Sequence, residues 1–464
     1  MTIKKYSVFI LLAVYAVVAT IVIFVFNGTG GEGDSITHFL FARYAPVHPE
    51  LFFDHWAKPV FVLLSSPFAQ FGFNGIKVFN VLVSMLTIYF TYRIACKLNL
   101  KNEILSAIFL IFSPLYFILT FSGLTEPLFA LFVALGIYFA LKEKYLAAAI
   151  IISFLPFIRS EGLIIIGIFG FYFLLKNNRK SILLLLTGHI VYSLAGYFIY
   201  HDILWVFTKI PYNNLGSPYG HGDLFHFFNE LIYVTGVPGY VLFWTGYLFI
   251  IFKIFKRSVS LELVILIFLG FSAYFTAHTL FWYLGIFNSM GLKRVLIGVM
   301  PLIAIISLTG FDFITGILIK NLLLKRVIGV LIIIYVMIFP FLHNPASVNW
   351  KKDMMLTEKQ KIAKNISGKL ADKKAAGHRF VFSDPYLSLA LNIDYFDTEK
   401  RIELTNDYLK HVKSGDIIIW DNWFSKTQLN ISRKEISQNS KLQNILSAES
   451  ADNKEIMFLV YQAK

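Results

Sequence analysis

The sequence predicts an α-helical polytopic membrane protein with a small C-terminal α/β domain outside the bilayer. Three observations lead there. Of 464 residues, 57% are hydrophobic, Phe alone numbers 48, and mean hydropathy is +0.65. Charged residues make up 15%, against about 25% in ordinary soluble domains. Charge density also changes abruptly after His343. Residues 1–343 hold 23 Lys/Arg and 13 Asp/Glu, about a tenth of that stretch, whereas residues 344–464 hold 19 and 15, about 28%. The first stretch reads as a membrane domain and the second as a soluble one. This excludes disorder and a purely water-soluble globule. The net charge of +14 does not point to nucleic acid, because most of the excess lies in the membrane stretch, where basic loops on the cytoplasmic side are ordinary. One cysteine, Cys96, excludes an internal disulfide framework or a CxxC metal site.

Eleven apolar runs are long enough to be considered as spans. The first, Tyr6 to Phe26, follows Lys4 and Lys5 and lacks a small-residue cleavage pattern, so it is expected to be retained as a membrane anchor. The others fall near Val78–Cys96, Ile104–Phe121, Thr125–Leu141, Tyr145–Ile158, Gly162–Leu175, Ser181–Tyr200, Ile232–Phe252, Leu261–Phe281, Arg294–Gly310 and Val327–His343. Tyr145–Ile158 reaches only about 21 Å as a helix, short of a hydrocarbon core of roughly 30 Å, and a re-entrant arm is the alternative. With the N-terminus in the cytoplasm, sixteen Lys/Arg sit at inner ends and seven at outer ends. The bias predicts this orientation, with the C-terminal domain extracytoplasmic; the expected location is the plasma (inner) membrane.

That domain reads as a charged helical stretch over Asp353–Lys374, a strand in "RFVFSDP", a short helix in "YLSLALN", a helix around Leu404–Val412, then strands in "GDIIIWDNW" and "EIMFLVYQA". No Gly-rich turn follows a strand, so no nucleotide loop is expected.

Chemistry gathers on the outer side. Nine of the thirteen acids of the membrane stretch fall there, among them Glu32, Asp34, Asp54, Glu126 and Glu161, with the cations Lys58, Arg159, Lys293 and Arg294. The densest segment is the first outer loop, Asn27 to Gly75. Asp34 and His38, four apart, lie on one face of a short helix after a Gly-rich approach. The plainer reading makes Asp34 a helix cap, the boundary Lys and Arg headgroup anchors, and Glu126, next to Pro127, a helix-start residue. A carrier or flippase would instead place its ionisable residues near mid-bilayer.

The segments "GDSITHFLFAR" and "HWAKPVFVLLSSPFAQFG", followed by "SGLTEPLFALFVALGIYF", "FIRSEGLIII" and "GLKRVLIGVMPLIA", resemble in order the motifs of GT-C glycosyltransferases, especially the protein-mannosyltransferase and aminoarabinose-transferase branch. The resemblance covers about residues 5 to 340. Ser35 stands where the family's acid pair has Glu, and Val60 where it has a second Pro. The resemblance implies an inverting transferase moving a sugar, such as mannose, from a polyprenyl-phosphate donor to a hydroxyl of a glycan, lipid or protein. It implies Asp34 as the catalytic base and Lys58, Arg294 and, on a partial motif match, Arg159 as phosphate-binding cations; Lys293 is a further cation at the outer headgroup level expected to bind the donor phosphate. Glu32, His38, Asp54, Glu126, Glu161, Tyr219 and His221 are candidate supporting or substrate-binding residues, the last two from the Gly- and Tyr-rich loop Pro211–Asp223. No cofactor is expected. A divalent metal is the weaker alternative, since Asp34 and His38 have ligand spacing without an evident third ligand. A non-catalytic carrier or flippase of envelope lipids is the alternative function.

The topology is testable by thiol labelling. With Cys96 replaced and a cysteine placed in the C-terminal domain, an impermeant reagent should label intact spheroplasts. Labelling only after lysis would reverse the orientation.

Overall fold

The computed structural model describes residues 2–31, 33–211, 216–319, 321–450 and 456–464. All eleven apolar runs are helical. Helix α1 (Thr2–Val25) is followed by the short helices α2 (Asp34–Tyr44) and α3 (Pro59–Ala69), then by α4 (Phe73–Lys97), α5 (Ile104–Ile111), α6 (Pro114–Thr120), α7 (Glu126–Leu141), α8 (Tyr145–Ser153) and α9 (Gly162–Leu175). The membrane part continues through α10 (Arg179–Leu184), α11 (Thr187–Tyr200), α12 (Trp205–Thr208), α13 (His226–Phe255), α14 (Gly270–Leu284), α15 (Met300–Phe313) and α16 (Leu322–Ile338). Among the described residues, seven helical segments are long and apolar enough to cross a membrane, and Glu126–Leu141, Tyr145–Phe157 and Gly162–Leu175 are shorter apolar helices. The expected span Ile104–Phe121 is instead two helices. Pro114 offers no N–H to the preceding turn and sits at the first position of α6. Ser113 in the break donates its hydroxyl to the Val234 carbonyl at 2.5 Å.

The helices are packed through small residues, as expected where lipid tails remove the hydrophobic incentive for association. Helices α13 and α15 meet at Gly246 and Gly310. A Cβ on Gly246 would lie 1.9 Å from the Ile306 carbonyl oxygen, and one on Gly310 would lie 2.0 Å from that of Leu242.

The C-terminal region holds a five-stranded mixed sheet of order β2-β1-β3-β5-β4, with β1 (Phe380–Val381), β2 (Arg401–Ile402), β3 (Ile417–Asp421), β4 (Leu442–Glu449) and β5 (Met457–Ala463). Strands β2, β1 and β3 are parallel, and β5 runs antiparallel to β3 and β4. The β4 strand is absent from the sequence reading, because its burial pattern leaves one residue in eight buried. The charged stretch predicted as one helix over Asp353–Lys374 is broken into Trp350–Asp353, Glu358–Lys369 and Ala371–Ala375. Between the first two pieces the backbone binds the loop that follows α1. Met354 accepts from the Gly28 N–H at 2.8 Å and Leu356 N–H donates to Asn27 Oδ1 at 3.1 Å. The helix then restarts at a Thr357–Gln360 capping box.

One face of the sheet (Phe380, Phe382, Ile417, Ile419, Phe458, Val460) shares a buried cluster with Ile36, Phe39 and Leu40 of α2. Helix α2 is thus held between the membrane helices and the C-terminal domain.

Gly310→Val should lower the thermal unfolding midpoint of the detergent-solubilised protein, since overpacking costs about 1–3 kcal/mol and here the obstacle is backbone. Gly316→Ala, with open space around its Cβ position, should leave the midpoint unchanged in the same thermal scan.

Candidate functional site

The site begins where the Gly-rich approach turns into α2. Gly30 has φ +66, a left-handed conformation open to glycine. Gly33 is the N-cap and Asp34 the first helical residue, and no side-chain cap hydrogen bond is made. Asp34 is therefore not the cap that the plainer reading made it. Ser35 does structural work: its Oγ donates to the Thr29 carbonyl and accepts from the Gly123 N–H at 2.7 Å. The loop at Gly123 comes so close that a Cβ there would lie 2.2 Å from the Ser35 carbonyl oxygen. Asn80 pins the same loop by donating to the carbonyls of Ser122 and Leu124 at 2.7 and 3.1 Å. Three residues beyond Gly123, α7 starts with Glu126, so Ser35 delivers a second carboxylate from another helix.

The result is a chain of alternating charge. Arg294 pairs with Asp34, and its Nε lies 3.3 Å from Glu126 Oε1. The same oxygen lies 2.8 Å from Arg159 Nη1, and Arg159 Nε donates to Glu161 Oε1 at 2.5 Å. Arg159 also donates to Thr125 Oγ1 at 3.1 Å. Glu161 receives the Tyr274 hydroxyl at 3.3 Å, with His278 Nε2 at 3.9 Å. Glu126 is completely buried, and its oxygens make no aligned hydrogen bond although two guanidiniums face one of them. Lys58, with φ +69 just before Pro59, is buried and donates to Ser160 Oγ at 2.9 Å, between Arg159 and Glu161 in sequence.

Burial opposes charge at each of these groups, and the neighbours decide the outcome. For Asp34, burial pushes the carboxyl up but the Arg294 guanidinium outweighs it and holds the group below the usual carboxylate range. For Glu161, burial is likewise overcome by Arg159, and the carboxyl falls to about 2. Burial lowers Lys58 to about 8, even with Glu161 nearby. His38 is driven by burial down to about 3 and is neutral. Its ring stacks on Trp56 at 4.8 Å, with Nδ1 3.2 Å from the Ala57 carbonyl oxygen.

A cavity of about 390 Å³ opens beside Asp34 and Arg294. The segment after α1 lines it with Gly31, Thr37 and Trp56, the loops before α13 and α15 with Tyr219, Met290 and Leu292, and the C-terminal domain with Ser383, Tyr395, Glu403 and Trp423.

The structure thus brings together Asp34, Arg294, Glu126, Arg159, Glu161, Lys58 and His38. It does not bring in Lys293, which pairs with Glu230 at 3.4 Å and lies over the Tyr233 ring. Asp54 accepts from the Ala57 N–H at 2.8 Å and shapes the turn before Lys58. His221 is exposed and is not among the cavity's lining residues. Glu32 lies outside the described residues, as do positions 212–215 of the loop containing Tyr219. Sequence reasoning missed Tyr274, one of 24 tyrosines and placed within an apolar run, and the whole C-terminal wall. Among the described residues no three His, Cys, Asp or Glu side chains form a metal-binding group.

No protein-family model matches the sequence. No curated protein matches it. Among solved structures, the apo crystal structure of ArnT from Cupriavidus metallidurans superposes with a TM-score of 0.66 at 9% identity, covering 99% of this chain and 98% of that one. The chain has the GT-C fold. The match covers 99% of the chain, the membrane helices and the C-terminal domain alike.

Within this GT-C frame, Glu126 holds two arginines apart. Glu126→Gln keeps its shape but removes the anion between Arg159 and Arg294, leaving each with only its outer carboxylate partner, Glu161 or Asp34, and breaking a buried pair typically costs about 3–5 kcal/mol. Its thermal midpoint should fall well below that of Asp34→Asn, whose side chain is partly exposed. Equal midpoints would mean that Glu126 does not hold the cluster.

Proposed function

We propose that the chain is an inverting GT-C glycosyltransferase. In this reading it moves a sugar, such as mannose, from a polyprenyl-phosphate donor to a hydroxyl of a glycan, lipid or protein on the outer side of the plasma membrane. The observation that carries the reading is Asp34 paired with Arg294 at the edge of a cavity, with buried Lys58 and half-buried Arg159 behind them. A full-length match to the GT-C fold supports it.

The reaction is a single displacement. Asp34 accepts the proton of the acceptor hydroxyl as that oxygen bonds to the anomeric carbon from one face. The bond from that carbon to the phosphate oxygen breaks on the other face, and the electron pair leaves with the polyprenyl phosphate. Arg294, with Arg159 and Lys58, meets the charge that builds on the leaving phosphate. Protein cations carry that charge, and no cofactor is called on.

Arg294 has two partners in this scheme. Without donor it neutralises Asp34 and makes it a weak base. A donor phosphate competes for the guanidinium and returns basicity to the carboxylate, so acceptor activation waits for the donor.

Two measurements test the proposal on purified protein supplied with polyprenyl-phosphate sugar. Asp34→Asn keeps the shape of a residue that caps nothing through its side chain, but it cannot take a proton. Release of polyprenyl phosphate should fall at least about a hundredfold, the low end of what a positioned base supplies. A folded variant working at the wild-type rate would remove Asp34 from the mechanism.

The second measurement is a pH profile. Lys58 titrates near 8, so its ammonium is present below that pH and lost above it. Donor KM should rise as pH climbs through about 8. Lys58→Arg, whose guanidinium stays charged, should flatten the rise, and Lys58→Ala should show a high KM throughout. Identical profiles for wild type and Lys58→Arg would exclude Lys58 from phosphate binding.

A further inference from the structure

We propose that the C-terminal domain carries a subsite for an uncharged carbohydrate, built on Trp423, Tyr395 and Glu403. Naming its occupant as the acceptor rests on the transferase reading above.

Two of the three residues are rings, one carried on a hydrogen-bonded turn and one stacked under a guanidinium. Trp423 follows β3, where Asp421 Oδ1 accepts from the N–H groups of Trp423 and Phe424 at 2.9 and 2.7 Å. Asp421 is itself buried and lies 3.1 Å from the buried ammonium of Lys359, which also faces Asp384 at 3.2 Å. The turn is therefore rigid, yet the indole is left 47% exposed beside the cavity. A large aromatic held in water by a buried charge knot is a poor use of apolar surface unless something covers it. Tyr395 is fixed differently. The Arg401 guanidinium stacks on its ring at 3.8 Å and is tied by donating to the carbonyls of Phe382 and Tyr395 at 2.9 and 3.3 Å.

The polar lining then selects among ligands. A pyranose presents an apolar C–H face, suited to the electron-rich face of an aromatic ring, and an edge of hydroxyl donors. The Glu403 carboxylate accepts such donors. The charged residues of the described lining are Asp34, Glu403 and Arg294, and Arg294 already faces Asp34 and Glu126. A phosphorylated or carboxylated acceptor would meet two carboxylates and no cation in reserve, a repulsive arrangement that discriminates against it.

The test uses full-length protein in lipid nanodiscs free of glycoside detergent. Wild type, Trp423→Ala, Trp423→Phe and Glu403→Gln are titrated by calorimetry and saturation-transfer NMR. The probes are neutral mono- and disaccharides of glucose, mannose, galactose and N-acetylglucosamine, a Ser-containing peptide and a phosphorylated glucosamine disaccharide. At least one neutral saccharide should bind wild type, about tenfold more weakly in Trp423→Ala and several-fold more weakly in Glu403→Gln, with Trp423→Phe close to wild type. Binding of the peptide or the phosphorylated disaccharide alone, binding of no saccharide, or saccharide binding that both Trp423→Ala and Glu403→Gln leave unchanged would overturn the proposal. Polyprenyl-phosphate release is followed on the same wild-type preparation. Saccharide binding through Trp423 without any donor turnover would overturn the transferase reading and the acceptor assignment, whereas turnover without saccharide binding overturns the subsite alone.

Discussion

Glu126 is a carboxylate with no access to water, and the geometry around the cavity depends on how its charge is met. Two arginines meet it, one from the turn before α9 and one from the stretch leading into α15. Their far sides reach Glu161 and Asp34. Taking such ions out of water costs more than a single pair returns, so the arrangement adds little to net stability. What it provides is position. With signs alternating along the chain, each group is attracted by its neighbours and repelled by the groups beyond them, so removing one link disturbs the next. Four segments distant in sequence are thereby fixed relative to one another in a membrane protein, where helix packing alone is governed by close contact between small residues.

The fold was legible to the extent that it depends on hydropathy. Every apolar run became a helix, because backbone polar groups in hydrocarbon must be satisfied within the segment. The boundary near His343 was visible as a jump in charge. Lost were features set by partners elsewhere in the chain. The break in Asp353–Lys374 comes from backbone bonds to Asn27 and Gly28, more than 320 residues away, and β4 is an edge strand with a mostly exposed side-chain pattern. The site divides the same way. Asp34, Lys58, Arg159 and Arg294 stand out as charges in an apolar chain with local motifs around them. That Ser35 ties down the loop leading to Glu126 follows from a hydrogen bond to Gly123 that no local pattern announces. Lys293, adjacent to Arg294 and equal to it as a charge, turns to Glu230 instead, because neighbours in so short a helical turn project in different directions.

Helix α2 carries this logic into the soluble domain. Its apolar side, with Ile36, Phe39 and Leu40, shares a core with the sheet, while its first residue, Asp34, faces Arg294. A helix clamped on both sides cannot shift toward the membrane helices without carrying the sheet along. The C-terminal domain is therefore part of the frame that sets the distance from Asp34 to the rings of Trp423 and Tyr395, and the cavity between them is a property of the whole chain.

That frame gives the pairing of Asp34 with Arg294 its consequence in the proposed reaction. A carboxylate held below its usual range is a stable anion and a poor base, so without donor Asp34 is not ready to deprotonate water or a hydroxyl. Arg294 is bound on one side to Glu126, which is buried and fixed, and on the other to Asp34, which is partly exposed. A phosphate arriving at the cluster competes most readily for the exposed contact, because the buried one has no solvent to replace the lost partner. The charge released from Arg294 is the charge regained by Asp34. Donor binding and base activation are then one electrostatic exchange, and they occur at the edge of the cavity where the acceptor hydroxyl is to be presented.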